Sequence, residues 1–393
     1  MTAEQIVGTL LELEVGPVAH GGHCVARYEG QVVFVRHALP GELVHARVTE
    51  QTTKYLRADA VQVLTPSPQR IEPPCPYAGP GRCGGCDFQH ADPAYQRELK
   101  AAVVTELLDR IGRVRWPDLV VEALPGGPLG WRSRVQYTVD MDGRAGLLQH
   151  RSHQVIPIDQ CRIAHPSIQD AEVTGRKWPD DDTVEVVASG LGDVTVLAHT
   201  ARGPRDVRER AVGREWTLDP RTFWQVHPAA ADTLTATVVR MLAPRPGDRA
   251  WDLYGGVGLF AAALAPHLDG TGRLTVVESD PRAVADARRN LRDLTTVTVL
   301  AAPVEKALAN PSWKSVDLVV LDPPRSGAGA RVVSAIIRRT PRAVAYVACD
   351  PAALARDVRT FGEAGWRLSA LRAFDTFPMT HHVECVALFN PPA

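Results

Sequence analysis

Short runs of alternating apolar and polar residues fill the first 64 positions of the chain. Turn-forming pairs such as Gly21-Gly22 and Pro40-Gly41 separate these runs. Alternation with a period of two, bounded by turn residues, predicts β-strands. The predicted strands span residues 6–14, 24–28, 31–35, 43–50 and 55–64. Five short strands in this span favour a small β-barrel of the OB type over residues 1–66.

The middle of the chain, residues 67–215, mixes helical and strand periodicities. The pattern predicts one helix over residues 93–111. Antiparallel strands are predicted over residues 135–140, 183–189 and 193–198. We therefore expect a central α+β domain, which opens with a loop rich in Cys, Gly and Pro.

From Trp216 to the C-terminus, apolar strands alternate with helical segments. The predicted strands span residues 250–254, 274–278, 316–322 and 343–350, and the predicted helices span residues 228–242, 282–294 and 352–362. This rhythm is typical of a parallel sheet covered by helices on both faces. Residues 216–393 are therefore predicted to form a Rossmann-like α/β domain. The last two predicted strands, 368–377 and 383–389, form an antiparallel pair at the sheet edge.

Composition narrows the class of protein. The formal net charge is −1 and apolar residues make up 45% of the chain. These values exclude a wholly disordered chain and a molecule that is cationic throughout, so any basic surface is local. One Arg-rich patch lies at residues 201–214. The sequence shows neither a signal-peptide pattern nor an apolar run long enough to span a bilayer, and we expect a cytoplasmic monomer that binds no membrane.

The loop 252–258, Asp-Leu-Tyr-Gly-Gly-Val-Gly, lies between a predicted strand and a predicted helix. Glycines such as Gly256 let the backbone approach a ligand and present N–H groups to it. Alone, the loop also fits NAD, FAD or an ordinary glycine turn. Glu278 ends the next strand, where an acid can accept both ribose hydroxyls, and Asp322 begins an acidic-Pro-Pro motif found in methyltransferases. Together these features predict an S-adenosylmethionine (SAM) site.

Cys349 ends a predicted strand and precedes a predicted helix. Because a helix N-terminus favours the thiolate, we interpret Cys349 as a nucleophile; the alternative is a buried core cysteine. Thiolate addition at C6 of uracil activates C5 toward a methyl donor, and a base must then remove the C5 proton. Glu384 is the best candidate base, with His381 and His382 as alternatives. The competing interpretation of Glu384 is a solvated surface acid.

A cysteine cluster occupies one Gly/Pro-rich loop. Cys75, Cys83 and Cys86 lie in this loop, and Cys161 supplies a distant fourth thiol. Four thiolates suit a tetrahedral zinc ion or an iron–sulfur cluster, and the spacing does not decide between them. We expect a structural role, in which the cluster ties the loop to the chain around Cys161.

These motifs together resemble those of the RumA/TrmA-type RNA uracil-5 methyltransferases, and the similarity covers nearly the whole chain. The matching segments are Phe223-Trp224-Gln225 and residues 252–258, 322–327, 349–357 and 381–389. Each motif is modest alone, but their shared order is highly specific.

The resemblance implies a function and a set of site residues. Cys349 is implied as the nucleophile and Glu384 as the base that removes the proton. The implied cofactor-site residues are Gln225, Tyr254, Glu278 and Asp322. Cys75, Cys83, Cys86 and Cys161 are implied to hold a [4Fe-4S] cluster, with zinc as the alternative. The N-terminal barrel is implied to be a TRAM domain.

The resemblance also implies RNA as the partner, with 23S rRNA first and tRNA second, because the tRNA branch generally lacks both the cluster and the barrel. Two further hypotheses are a methyltransferase that acts on another atom and a catalytically degenerate RNA-binding protein of ribosome assembly. We expect bases to stack on Tyr28, Phe34 and Tyr55. Phosphate contacts are expected from Arg132, Arg134 and the patch at residues 201–214.

This sequence departs from the family pattern at three places. Gly255 stands where the family often has Cys, so that cysteine is not needed here. His227 stands where Asn is common, and the first spacing in the cysteine cluster is longer than usual. The last departure makes zinc or an empty site more plausible.

Overall fold

The computed structural model describes residues 6–199, 206–310, 313 and 315–392. The N-terminal strands are β1 (Leu10–Glu14), β2 (Val18–Ala19), β3 (His23–Tyr28), β4 (Gln31–Arg36), β5 (Leu43–Gln51) and β6 (Tyr55–Thr65). They form one sheet in the order β1-β5-β6-β4-β3-β2. β1 also contacts β3 across this order, so the sheet curls over itself. The predicted N-terminal β-domain is confirmed, with the short strand β2 added to it.

Alternation along these strands builds the core of the curled sheet. Residues Val33, Val35, Val44 and Leu56 are fully buried, while their neighbours in sequence are more exposed. The ladder between β5 and β6 contains several register shifts. Such bulges increase the local bend of a strand, which helps a short sheet to enclose its apolar face.

The helix α1 (Pro93–Leu107) connects the N-terminal sheet to the rest of the chain. Asp92 caps it, because its side chain accepts a hydrogen bond from the Ala94 amide at 2.8 Å. The predicted end at residue 111 falls in a wider π-type turn, Leu108–Gly112, which continues the helix. α1 packs against two cores. Leu99 packs in the core of the N-terminal sheet, whereas Val104 packs in the core of the C-terminal sheet.

Two polar side chains on α1 hold the segment that precedes the last strand. Lys100 is fully buried, and its Nζ donates to Asp375 Oδ1 at 2.5 Å and to the Phe377 carbonyl at 3.0 Å. One turn earlier, the Gln96 side chain accepts a hydrogen bond from the Met379 amide at 2.9 Å. α1 therefore orders the chain that leads to the predicted base.

Replacing Lys100 with Met is expected to destabilise the protein by about 3–5 kcal/mol, because Asp375 would be left as a buried and unpaired carboxylate. Denaturant unfolding measures this loss. Arg110→Met is the matched control, since Arg110 forms an exposed ion pair with Glu106 that contributes at most about 0.5 kcal/mol. A Lys100→Met protein as stable as the control would show that the buried pair is not needed.

The central sheet is antiparallel. Its strands are β8 (Arg134–Val139), β9 (Ala145–Leu148), β10 (Val155–Pro157), β11 (Thr183–Ala188) and β12 (Val194–Leu197), in the order β10-β9-β8-β11-β12. The strand β7 (Val121–Ala123) precedes these strands in the chain and belongs to the C-terminal sheet. A short helix, α2 (Pro166–Asp170), lies between β10 and β11 in the chain, and a hairpin of β13 (Val207–Ala211) and β14 (Arg214–Leu218) follows β12. The strands β9 and β10 and the helix α2 were not predicted from the sequence.

The C-terminal sheet has the order β17-β16-β15-β18-β19-β21-β20-β7. Its strands after residue 216 are β15 (Arg249–Leu253), β16 (Arg273–Glu278), β17 (Val297–Ala301), β18 (Leu318–Leu321), β19 (Ala343–Ala348), β20 (Arg367–Asp375) and β21 (Glu384–Asn390). The helices are α3 (Ala230–Leu242), α4 (Leu259–Leu264), α5 (Pro281–Asn290), α6 (Val304–Ala309), α7 (Gly329–Ile337) and α8 (Pro351–Glu363). Apolar clusters cover both faces of the sheet, which confirms the predicted Rossmann-like α/β fold.

One strand of this sheet comes from the middle of the chain. β7 pairs in parallel with β20 at the sheet edge. The predicted boundary at residue 216 therefore does not separate two packing units, since α1 and β7 both pack with the C-terminal sheet. Among the described helices, none combines the length and the apolar character that crossing a bilayer requires.

Candidate active site

Four parallel strands of the C-terminal sheet end side by side. β15 pairs with β16 and with β18, and β18 pairs with β19. Tyr254 follows β15, Glu278 ends β16, Asp322 follows β18 and Cys349 follows β19. Because the carboxyl ends of parallel strands share one edge, these four predicted residues come together there.

The glycine loop after β15 adopts left-handed backbone conformations. The φ angles are +57° at Tyr254, +53° at Gly256 and +85° at Gly258. The Gly256 amide donates to one carboxylate oxygen of Glu278 at 2.9 Å. The other oxygen of Glu278 accepts from the next two backbone amides at 2.6 and 2.7 Å. The loop and Glu278 are therefore held against each other at the strand edge.

Gly255 has a steric reason to be glycine. A Cβ atom at this position would lie 2.6 Å from Cγ1 of the buried Val276. The space that a family cysteine would occupy is therefore filled by Val276 in this protein.

Asp252, which the sequence placed in the loop motif without a role, is fully buried. Its Oδ2 accepts a hydrogen bond from the Ala261 amide in α4 at 2.9 Å, which ties the helix to the strand. Its Oδ1 has no hydrogen-bond partner within the described part of the chain. Burial, reinforced by Asp322 and Glu278, raises the pKa of Asp252 well above its usual range. A neutral carboxyl here can donate a hydrogen bond toward the loop.

The nucleophile candidate and the base candidate face each other across one strand pair. β19 and β21 are antiparallel, with Ala348 opposite Cys385. The register therefore places Cys349 opposite Glu384, next along the two strands. This juxtaposition joins residues that lie 35 positions apart in the sequence.

Cys349 is partly exposed, unlike the residues of β19 before it. Burial, followed by Glu384 and Asp322, raises the pKa of its thiol to about 12, while Arg325 acts in the opposite direction. From the sequence, the N-terminus of α8 was expected to favour the thiolate. In the free protein, burial and the two acids outweigh that effect and the thiol stays protonated.

Glu384 is buried, and its Oε1 has no hydrogen-bond partner among the described residues. Burial and Asp322 raise the pKa of Glu384 well above its usual range. Burial also raises the pKa of Asp322 to about 7. Two adjacent buried carboxyls cannot both stay charged, so the pair retains a proton near neutral pH.

The two neighbouring histidines are placed for other contacts. His381 Nδ1 lies 2.6 Å from Asp87 Oδ2, and His382 Nε2 lies 3.4 Å from the Arg325 guanidinium. Burial, with His381 and Arg325, lowers the pKa of His382 to about 3. Of the three base candidates, Glu384 is thus the one that the strand register sets opposite Cys349.

Arg325 lies in the matching segment 322–327 and is a site residue for which no role was predicted from the sequence. It is exposed, bridges toward His382, and lowers the pKa of Cys349. Its position three residues after Asp322, just past a strand end, was the signal for it.

Gln225 lies in the segment before α3 and is buried. The adjacent Trp224 packs against Trp216, with ring centroids 5.4 Å apart. Gln225 forms no hydrogen bond to the strand edge within the described residues. His227, the second departure from the family pattern, is buried against Trp131, and burial lowers its pKa to about 4.

The four cysteines of the predicted cluster are neighbours in space. Burial raises the pKa of Cys83 to about 11, and the nearby thiols of Cys161 and Cys75 add to this increase. Burial, with Cys161 and Cys83, likewise raises the pKa of Cys86. The pKa of Cys161 is also raised by burial, with Cys75 adding to it. The Tyr77 hydroxyl, which donates to the Asp159 carboxylate at 2.9 Å, ties the loop to the Cys161 segment. Within the described ranges, however, no three His, Cys, Asp or Glu side chains are arranged to hold a metal ion.

The curled N-terminal sheet presents an aromatic and cationic face. Phe34 stacks edge-on to His23 and to Tyr55, with centroids 4.6 and 5.3 Å apart. The Arg57 guanidinium lies over the rings of Phe34 and Tyr55 at 5.5 and 5.2 Å. A groove of about 250 Å³ beside these residues is also lined by Arg151. Aromatic rings with arginines suit single-stranded nucleic acid.

Most of the described arginines that were predicted to contact phosphate form ion pairs within the protein. Arg134 is mostly buried and contacts Glu185 and the Pro220 carbonyl. Arg208, Arg210 and Arg214 pair with Asp193, Glu215 and Asp293, respectively. The patch is therefore locally neutralised where it is described, and its expected phosphate contacts stay a prediction. Residues 201–205 of the patch, with Arg202 and Arg205, lie outside the described residues.

Three family models match the sequence. A TRAM domain model matches residues 4–61, and a small methyltransferase domain model matches residues 228–346. A tRNA (uracil-5-)-methyltransferase model matches residues 309–391, which contain both Cys349 and Glu384.

Relatives match over almost the full length. An uncharacterized RNA methyltransferase of Streptomyces avermitilis is 49% identical, covering 98% of this chain and 99% of the relative. The 23S rRNA (uracil(1939)-C(5))-methyltransferase RlmD of Thiobacillus denitrificans is 32% identical, covering 94% of this chain and 97% of the relative. Among solved structures, the tRNA (uracil-54, C5)-methyltransferase of Pyrococcus abyssi, in complex with S-adenosyl-L-homocysteine, has the same fold. Its TM-score is 0.74 at 23% identity, covering 96% of this chain and 99% of that one.

The glycine loop at the carboxyl edge of a Rossmann-like sheet, with acids at the neighbouring strand ends, defines a SAM-dependent methyltransferase. The near full-length relatives narrow this class further. The chain belongs to the RumA/TrmA-type family of RNA uracil-5 methyltransferases.

Proposed function

We propose that the protein methylates C5 of uridine in rRNA, with SAM as the methyl donor. The observation that carries this proposal is the strand register that sets Cys349 opposite Glu384, beside Asp322 and the glycine loop. A thiol and a carboxyl set opposite each other on neighbouring strands match the two tasks of this reaction, which are addition to the ring and removal of a proton.

Cys349 performs the first step. Its thiolate adds to C6 of the uracil, and the electron pair of the C5–C6 double bond moves to form an enolate. The free thiol is protonated, so it must first lose its proton to the solvent that reaches the partly exposed Cys349, and Arg325 favours the resulting thiolate. SAM supplies the methyl group as a sulfonium, and C5 takes up that group.

Glu384 completes the reaction. Its carboxylate removes the proton from C5, the double bond reforms, and the C6–S bond breaks to release the Cys349 thiolate. A buried carboxyl with a raised pKa binds a proton more strongly than an exposed one, which suits this step. Asp322, the carboxyl that lies near Glu384, can hold the proton that the pair retains at the start.

The loop 254–258 and Glu278 would hold the cofactor, with Gly256 letting the backbone approach it and Glu278 accepting the ribose hydroxyls. Tyr254, Asp322 and Gln225 complete the proposed set.

Gly255→Ala is expected to weaken SAM binding roughly tenfold, because the new Cβ overlaps Val276 and such overpacking costs about 1–3 kcal/mol. Calorimetric titration with SAM measures the change. The double variant Gly255→Ala/Val276→Ala removes the overlap and is expected to recover affinity. If Gly255→Ala binds SAM as tightly as the wild type, the proposed placement of the cofactor loop is contradicted.

The choice of rRNA follows the relative RlmD, which matches the chain almost end to end. The N-terminal domain does not separate the two RNA classes. The Pyrococcus abyssi enzyme named for tRNA shares the fold over 96% of this chain, contrary to our expectation that the tRNA branch lacks the barrel. To test the choice, the protein is given labelled SAM with unmodified 23S rRNA transcript or unmodified tRNA transcripts, and the labelled nucleotides are mapped. Label confined to tRNA would overturn the rRNA assignment.

We further propose that Cys75, Cys83, Cys86 and Cys161 hold a [4Fe-4S] cluster. The donor set supports this, since Cys83, Cys86 and Cys161 are neighbours whose raised pKa values leave their thiols neutral until a metal displaces the protons. The cluster would fix the loop to the Cys161 segment and takes no part in methyl transfer.

Protein purified without oxygen is expected to be brown with broad visible absorption, and Cys83→Ala is expected to lose the colour. Cys24→Ala is the matched control, because Cys24 is buried in the N-terminal core away from the cluster. A colourless wild-type protein with stoichiometric zinc would replace the iron–sulfur assignment.

A further inference from the structure

The loop between β2 and β3 contacts the segment that carries the proposed nucleophile. His20 Nε2 lies 3.2 Å from Oδ2 of Asp350, the residue immediately after Cys349. This contact joins the N-terminal domain to the C-terminal sheet beside the reacting thiol. None of the proposed catalytic steps uses it.

Asp350 divides its carboxylate between two elements. Its Oδ1 accepts a hydrogen bond from the Ala353 amide at 2.7 Å and caps α8, while its Oδ2 faces His20. Burial would raise the pKa of Asp350, but the His20 hydrogen bond and the Ala353 amide outweigh it and keep the pKa below its usual value. Because Asp350 is bonded directly to Cys349, holding its side chain restricts the direction of the thiol.

The same loop also contacts the segment that leads to the proposed base. A Cβ atom on Gly22 would lie 2.8 Å from Cβ of Asp87 and 2.9 Å from Cβ of His381. The His381 amide and ring both bond Asp87 Oδ2, at 3.0 and 2.6 Å. His381 precedes Glu384 by three residues. One loop of the N-terminal domain therefore packs against the segments of both catalytic candidates.

We propose that His20 is a positioning residue for uridine methylation, which orients Cys349 by holding Asp350. His20 acts through Asp350 and touches neither the RNA nor the cofactor. The inference rests on the proposed function, since it needs Cys349 to be the nucleophile.

The test measures how fast a covalent adduct forms in a single turnover with SAM and saturating 5-fluorouridine RNA. His20→Ala is expected to form the adduct about tenfold more slowly, the order of effect for losing a hydrogen bond to a charged group, with RNA affinity unchanged. His20→Gln is expected to restore most of the rate, because its amide can donate to Asp350. His45→Ala is the matched control: His45 lies in the same domain and pairs with Glu12 at 3.4 Å.

Three outcomes overturn the inference: adduct formation by His20→Ala at the wild-type rate, a loss of RNA affinity that accounts for the whole defect, or a His20→Gln rate as low as that of His20→Ala. The wild-type arm separates this test from that of the proposed function. If wild-type protein forms no adduct with any 5-fluorouridine-containing RNA, the proposed function fails and the inference falls with it.

Discussion

Replacing Cys349 with Ala is expected to reduce uridine methylation by on the order of 10⁴-fold or more, because none of the described residues offers another exposed thiol at this strand edge. C5 of uracil is a poor nucleophile until the ring carries that addition. SAM affinity should be unchanged, since the cofactor residues lie on the neighbouring strands. Methyl incorporation into rRNA transcript and calorimetric SAM binding measure the two quantities.

A covalent trap makes this experiment sharper. In 5-fluorouridine RNA, the fluorine at C5 cannot be removed as a proton, so wild-type protein should remain bonded to the methylated RNA on a denaturing gel. Cys349→Ala should give no such band, whereas Cys24→Ala should behave as the wild type. If the Cys349 variant keeps full activity, methylation occurs at an atom that needs no covalent step, such as an exocyclic amine.

Glu384→Gln is expected to slow turnover by about 10²–10⁴-fold and to accumulate a methylated protein–RNA adduct with ordinary uridine. The amide has nearly the shape of the carboxyl, so addition and methyl transfer continue while removal of the C5 proton stops. The C6–S bond then cannot break. Labelled methyl groups should therefore appear in a band that contains both protein and RNA.

Two further variants complete this test. The double variant Cys349→Ala/Glu384→Gln should show no adduct, because the bond to C6 never forms. Glu363→Gln, which changes an exposed glutamate on α8, should leave turnover unchanged. Slow turnover of Glu384→Gln without an adduct would show that Glu384 acts before the addition step and is not the base.

The sequence predicted the C-terminal fold well, because the β/α rhythm is a local pattern that each segment expresses by itself. The strand ends after β15, β16, β18 and β19 followed directly, and so did the shared edge. The pairing of β19 with β21 did not follow. It depends on β21 inserting between β19 and β20, a long-range choice that leaves no local signal, and it is this choice that sets Glu384 opposite Cys349.

Charge was harder to predict than topology. Arg134 lies near Arg132, and Arg214 ends the arginine-rich patch, but their partners Glu185 and Asp293 are distant in sequence and become neighbours only in the fold. The thiol of Cys349 shows the same limit. Its helix N-terminus was visible in the sequence, whereas the two opposing acids were brought close by the sheet.

The helix α1 carries a consequence for how the molecule unfolds. Leu99 and Val103 belong to the N-terminal core, and Val104 and Leu108 to the C-terminal core, so one rod of backbone is shared by both. Neither core can unfold without exposing one side of α1 to solvent. The two ends of the chain are therefore coupled into one cooperative unit, and excision of residues 1–64 would leave an apolar stripe in water rather than a smaller working enzyme.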